Sequence, residues 1–536
     1  KIRVFSANKS SIPAKSPFCK VTNGTKADIL RENCQEVAHL QRRPILFVHG
    51  LVITMDGERR ILEDGAVAVC QDKIAFVGPS AEALAQYPGA ETVDCRGCMI
   101  LPGLIDAHGH GGHSFTRYVI KETNQWMPAM THMYQHYVTD EFWYAEGKLQ
   151  ALQRLKNGVT TGVCVLGSQP RCDTPGPAFN NARGYAEVGV RDIVCTGPQH
   201  TPWPHNFSRW ENGKRIRESV TFEQVCASLE EVIAALNGAN GGKTLAYVTP
   251  FGLVTSLNPS GPTPRDQVGK LTEHDIRQAK AMRRIADHYH TRIHTDCFGG
   301  MIHLASQDPE SMLLGPDVHI QHCTALDDQE IEILKRSGAS ASVAPYWSDA
   351  PVEKMLNAGI RVVIGSDGPG DNCDLDMILS ARMFALNYRR DAGNRRFLPY
   401  EKLLEMITID AAAALGLDDR IGSLEPGKQA DVITVNYQTP RLMPMYNPVH
   451  ALILGGSGSD VRDVMVAGEL LMRERKTPHV DESALYTLCQ AVSDDINQRI
   501  GFGPFDHRQP MLWGWNYISQ KELFDLEWQR ADGGHY

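Results

Sequence analysis

The chain has 536 residues, enough for a large core and more than one domain. Hydrophobic residues make up 42% and charged residues 22%, the balance of a globular enzyme, and no run approaches the roughly 18 apolar residues of a membrane span. A formal net charge of -9 argues against a nucleic-acid binder, which normally shows a basic face.

In chain order, residues 1–43 read as an N-terminal extension, with Ile29, Leu30, Val37 and Leu40 spaced loosely as one helical face. Residues 44–100 change to short alternating runs broken by Gly and Asp, which predicts antiparallel β structure. Residues 101–415 alternate strand-like and helix-like segments. The strands are "LIDAH", "TTGVCVL", "RDIVCTG", "LAYVTP", "RIHTD", "VHIQHC", "ASASVAP" and "RVVIGSD". Eight such units are the count for a (β/α)8 TIM-type barrel, although an open α/β sheet uses similar units. Residues 416–475 return to the β pattern and are expected to complete one small β domain with residues 44–100. Residues 476–536 form a C-terminal extension that ends aromatic and irregular around Trp513 and Trp515. The 13 cysteines show no framework spacing and read as free thiols of a reducing compartment, hence the cytoplasm. No apolar signal core opens the chain, but it begins at Lys1, which leaves room for a removed signal.

In a parallel barrel the chemistry sits at the C-terminal ends of the strands. Strand one ends in His108-Gly109-His110, strand five in His294, strand six in His322 and strand eight in Asp367. Each alone is weak: His-x-His is common, and Asp before Gly often opens a turn. Together, four histidines and one aspartate at strand ends make a divalent site suited to zinc first and iron second. Alternation along strand one places both rings of His108 and His110 toward the mouth. No lysine ends a strand where a carbamylated bridge would sit, so one metal is expected rather than two. Such an ion lowers the pKa of a bound water toward neutrality. Asp367 is then placed to accept the water proton, and His322 to polarise the developing oxyanion.

The segments "LPGLIDAHGH", "LKNGVTTGV", "IHTD", "IQHC", "GSDGPGDN", "AAAALGLDDRIGSLEPGKQADVI" and "VRDVMVAGELL" resemble the amidohydrolase superfamily. The branch they resemble includes guanine deaminase, S-adenosylhomocysteine deaminase and the triazine hydrolases. The resemblance implies a metal-binding barrel with a β-sandwich domain formed from both flanks. It also implies a single metal on the positions of His108, His110, His294 and Asp367, with His322 near or on it.

One position departs from that pattern. Deaminase members carry His-x-x-Glu on strand five, and here Cys297 takes the glutamate position. A thiol is a poor proton shuttle, which favours hydrolysis of an amide, urea or carbamate C–N bond in a small cyclic or aromatic substrate. The alternative is an aminohydrolase of a purine, pterin or triazine; a non-catalytic scaffold would have lost ligands, and all five are kept. Asp296 is a second candidate for proton transfer if strand five runs one residue further. His113, Cys297, Trp126, Trp203, Tyr346 and Trp347 are candidates to line the substrate pocket. No nucleic-acid or membrane partner is expected, and a homo-oligomer, a dimer first, is.

Overall fold

The computed structural model describes residues 43–117, 126–258, 261–346, 349–368 and 374–500, and of residues 126–129 the backbone alone. The face at Ile29 to Leu40, the side chain of Trp126, Trp347 and the tail around Trp513 lie outside the described residues.

The first flank forms β1 (Ile45–Ile53), β2 (Ile61–Cys70), β3 (Lys73–Pro79), β4 (Glu91–Asp94) and β5 (Cys98–Pro102). β1 pairs antiparallel with β2, and β2 with β3. The other edge of β1 divides: Ile45 to Val48 pair with β4, and Leu51 and Val52 with β5, both in parallel. The sheet is therefore mixed rather than purely antiparallel. A helix over Ser80–Gln86 carries the chain back between β3 and β4, which permits the parallel return. Gly50 sits at the division, where a Cβ would lie 2.5 Å from Ile100 Cδ1.

The barrel strands are β6 (Leu104–Asp106), continued by β7 (His110–Gly111), then β8 (Val159–Leu166), β9 (Arg191–Thr196) and, beyond a hairpin of β10 (His205–Glu211) and β11 (Lys214–Val220), β12 (Thr244–Val248). β13 (Ile293–Phe298), β14 (Val318–Thr324), β15 (Ser340–Val343) and β16 (Val362–Ile364) complete it. All eight predicted segments are strands, and they pair in parallel in sequence order. Ala107 N donates to Ile364 O at 3.3 Å and Asp367 N to His108 O at 2.9 Å, which joins the last strand to the first. Helix-like segments between the strands form helices at Asp140–Lys156, Phe222–Leu236, Glu273–His288 and Asp328–Ser337. Thr139, Thr221, Thr272 and Asp327 cap them, satisfying backbone N–H groups of the first turn. Inside the barrel, Ile105, Ala107, Val163, Val165, Ile193, Leu245, Tyr247 and Val363 pack on residues 411–421.

β17 (Val432–Asn436), β18 (Val461–Val466) and β19 (Glu469–Met472) follow, and β17 pairs antiparallel with β5. Both flanks thus share one eight-stranded sheet, with Phe47, Val67, Ile100, Val432 and Met465 in a common core. Among the described residues no helix is long and apolar enough to cross a membrane.

Candidate metal-binding active site

The site is built where the first barrel strand breaks. Ile105 and Ala107 belong to the interior cluster, so Asp106 faces the helix layer. Uninterrupted alternation would send His108 the same way. The strand instead bends at Ala107 and His108 and resumes at His110. The two rings therefore converge through a break, not through the simple alternation expected from the sequence. Their planes are at 87° with centroids 4.9 Å apart.

His108, His110 and Asp367 each offer an atom to one cluster whose members lie within 4.8 Å of one another. His108 Nε2 and His110 Nε2 are 3.2 Å apart, and Asp367 Oδ1 is 3.2 Å from His110 Nε2. A second cluster shares His108 and adds Asp296 and His322, whose Oδ2 and Nε2 are 3.8 Å apart. His294 stands beside both, its Nε2 2.7 Å from His108 Nδ1, the opposite edge of the ring from His110. Its Nδ1 is buried and has no hydrogen-bond partner among the described residues.

The surroundings set the charge states. Burial resists a proton on His110, but the hydrogen-bonded Asp367 carboxylate outweighs it and raises the ring to about 9. Burial also works against ionised Asp367, yet hydrogen bonds with His108 and His110 hold it well below the usual carboxylate range. Burial, reinforced by the neighbouring rings of His108 and His319, holds His294 well below the usual histidine range. Burial likewise lowers His108. His108 and His294 thus present neutral imidazoles beside an ionised carboxylate. The proton that Asp367 holds on His110 is one a divalent cation would displace, so the donor set fits such an ion. The backbone is strained here: His322 has φ 72° and Asp367 φ 61°, left-handed values uncommon outside glycine.

The other predicted residues divide. Asp296 shares the face of His294, because β13 runs on to Phe298, and it is 9% exposed. Cys297 alternates away: it is wholly buried in the apolar cluster between barrel and helices, and burial pushes its thiol well above the usual range. It does not line the mouth; the parity of β13 places it on the opposite face. His113 is buried and stacks on His110 with centroids 4.6 Å apart, its other face toward Tyr134 at 6.0 Å. Trp203 is half-buried and meets His205 edge-on at 4.4 Å, and Tyr346 is half-buried after β15.

Sequence reasoning missed the residues that hold this segment. Ser366 N and Oγ donate to Asp106 at 2.8 and 2.7 Å, and Arg154 donates to Asp106 at 2.8 Å. Gln150 Nε2 donates to His110 O at 2.7 Å, and Glu146 accepts from Ser114 N at 3.2 Å. The only local signals were the glycine inside His-Gly-His and the unusual Asp before it.

A closed parallel barrel with histidines and an aspartate converging at the strand ends defines a metal-dependent hydrolase. The amidohydrolase family pattern matches residues 99–471. The chain belongs to the amidohydrolase family, and it is a hydrolytic enzyme acting on carbon–nitrogen bonds. It is 29% identical over 456 residues to a 5-methylthioadenosine/S-adenosylhomocysteine deaminase of Syntrophobacter fumaroxidans, covering 82% of this chain and 96% of that one. Its fold is similar to that of a zinc-bound adenosine deaminase of Xanthomonas campestris, with a TM-score of 0.71, 22% identity and coverage of 85% and 99%. It is also similar to an atrazine chlorohydrolase of Arthrobacter aurescens complexed with zinc, with a TM-score of 0.69, 21% identity and coverage of 84% and 100%.

Proposed function

We infer that the chain is an aminohydrolase that releases ammonia from an amino-substituted aromatic nitrogen ring, with purine derivatives the first class to try. The observation that carries this reading is the position of Asp296. It lies on the face of His294 and beside His322, so a carboxyl group is present at the mouth although Cys297 is not available. The deaminase relative points the same way.

His108, His110, His294 and Asp367 would hold one divalent ion, zinc first and iron second, which supplies hydroxide at neutral pH. Asp367, ionised and fixed by the 2.8 Å hydrogen bond from Gly368 N, takes the proton that the attacking water loses. His322 donates a hydrogen bond to the oxygen that gains charge as the ring carbon becomes tetrahedral. The proton taken by Asp367 is returned, with Asp296 as the relay, to the departing nitrogen, so that the C–N bond breaks, ammonia leaves and the ring keeps the oxygen. Ten free cysteines among the described residues support a reducing compartment.

The second reading is hydrolysis of an amide, urea or carbamate bond, favoured by the missing glutamate three residues after His294. Ammonia measured across a panel of aminopurines, aminotriazines, cyclic ureas and aryl carbamates separates the two. Turnover confined to ureas or carbamates, with the aminopurines and aminotriazines inert, sinks the first.

A further inference from the structure

We propose that Arg154 is a positioning residue for the metal ligands, acting from the helix layer through the break in the first barrel strand. The inference rests on the metal-site reading above. The break between Asp106 and His110 leaves the neighbouring strand without a full partner. Arg154, at the end of the helix Asp140–Lys156, fills that gap. Its guanidinium donates to Val163 O at 2.7 Å, to Asp106 Oδ2 at 2.8 Å and to Tyr185 Oη at 2.7 Å. Tyr185 donates in turn to Gln150 Oε1 at 2.6 Å, and Gln150 donates to His110 O at 2.7 Å. Asp106 and His110, the two ends of the segment that carries His108, are thus tied into one chain of hydrogen bonds. Ser366, the neighbour of Asp367, is tied to the same Asp106 carboxylate.

Two glycines make room for the guanidinium. A Cβ at Gly109 would lie 2.7 Å from Arg154 Nη2, and one at Gly162 would overlap the guanidinium outright. The glycine of His-Gly-His thus has a reason that belongs to this arginine. Arg154, Tyr185 and Asp106 are all wholly buried, so the chain of bonds is sheltered from water and geometrically stiff. Groups that hydrogen-bond behind metal ligands typically change metal affinity about 10–100-fold when removed.

The experiment uses the full chain, with cobalt exchanged into the site for spectra and zinc titrated against a chromophoric chelator. Arg154→Met removes the fork at similar length, and Tyr185→Phe removes one hydroxyl with little change of volume. Arg191→Met is the control, because Arg191 is equally buried but pairs with Asp431 and Gln429, away from the ligands. The expected result is at least 10-fold weaker zinc binding and shifted cobalt bands in Arg154→Met and Tyr185→Phe. Arg191→Met should melt earlier and keep both metal readouts. If Arg154→Met does not fold, Tyr185→Phe decides. Folded variants with wild-type affinity and spectra overturn the proposal, while a wild-type chain that takes up no metal overturns the metal-site reading along with it.

Discussion

Replacing Asp296 with asparagine tests the proton-delivery role directly. Asparagine matches the carboxylate in size and keeps an oxygen toward His322, whose Nε2 is 3.8 Å from Asp296 Oδ2. What it loses is the ability to carry a proton. Asp296 is 9% exposed and lies in the cluster with His108 and His322, so water has limited room to replace it. A group that moves a proton in the transition state contributes about 10²–10⁴-fold, or roughly 2.7–5.4 kcal/mol of barrier. The expectation is therefore a fall in kcat of at least about 100-fold, with KM little changed. Ammonia release by the full chain, normalised to metal content, is the assay. Cys297→Ala is the companion: it faces the helix layer, so turnover should hold while the melting temperature falls, as expected when a small buried side chain is trimmed. If Asp296→Asn keeps its metal and its kcat within about threefold of wild type, the role assigned to Asp296 is wrong.

His108→Ala should leave the site empty or nearly so; elemental analysis that finds a full equivalent of metal removes His108 from the ligand set. Asp192 is wholly buried, its side chain without a hydrogen-bond partner among the described residues, and burial raises its carboxyl to about 8. A native pKa above the unfolded value means the folded chain keeps a proton that the unfolded chain releases. That stabilising contribution is complete below about pH 4 and is lost as pH rises through about 8. Asp192→Asn should accordingly flatten the decline, gaining several kcal/mol relative to wild type at pH 8 and little at pH 4. Melting curves of both proteins across that range check it, and parallel curves contradict it. The chain is expected to assemble as a dimer. Light scattering that gives a 59.4 kDa particle at micromolar concentration contradicts that.

The barrel was readable because its strands are short apolar runs closed by Gly, Pro or a polar ligand, and its helices carry a 3.6-residue period behind a capping residue. The hairpin of β10 and β11 was overlooked although Asn212-Gly213, with φ 51° and 74°, is a strong turn signal. Its strands are too polar to resemble barrel strands. The choice between Asp296 and Cys297 depended on how far β13 extends, because adjacent residues of a strand point to opposite faces. Arg154 could not be read from its helix, where it looks like one more charged residue of an amphipathic surface. Its partners Asp106 and Tyr185 are 48 and 31 residues away.

The bond from Asp367 N to His108 O closes a loop of about 260 residues, a closure that costs roughly 5 kcal/mol of chain entropy. During synthesis the first two imidazoles emerge long before the aspartate that completes their cluster. A nascent chain that stops short of β16 carries the histidines of the proposed ligand set but lacks Asp367, its carboxylate. If the proposed ligands hold the ion, its tight capture would be a late event, a lock that engages after the last strand has docked. Metal content would then report completed folding, since a truncated or misregistered barrel would hold the ion more weakly.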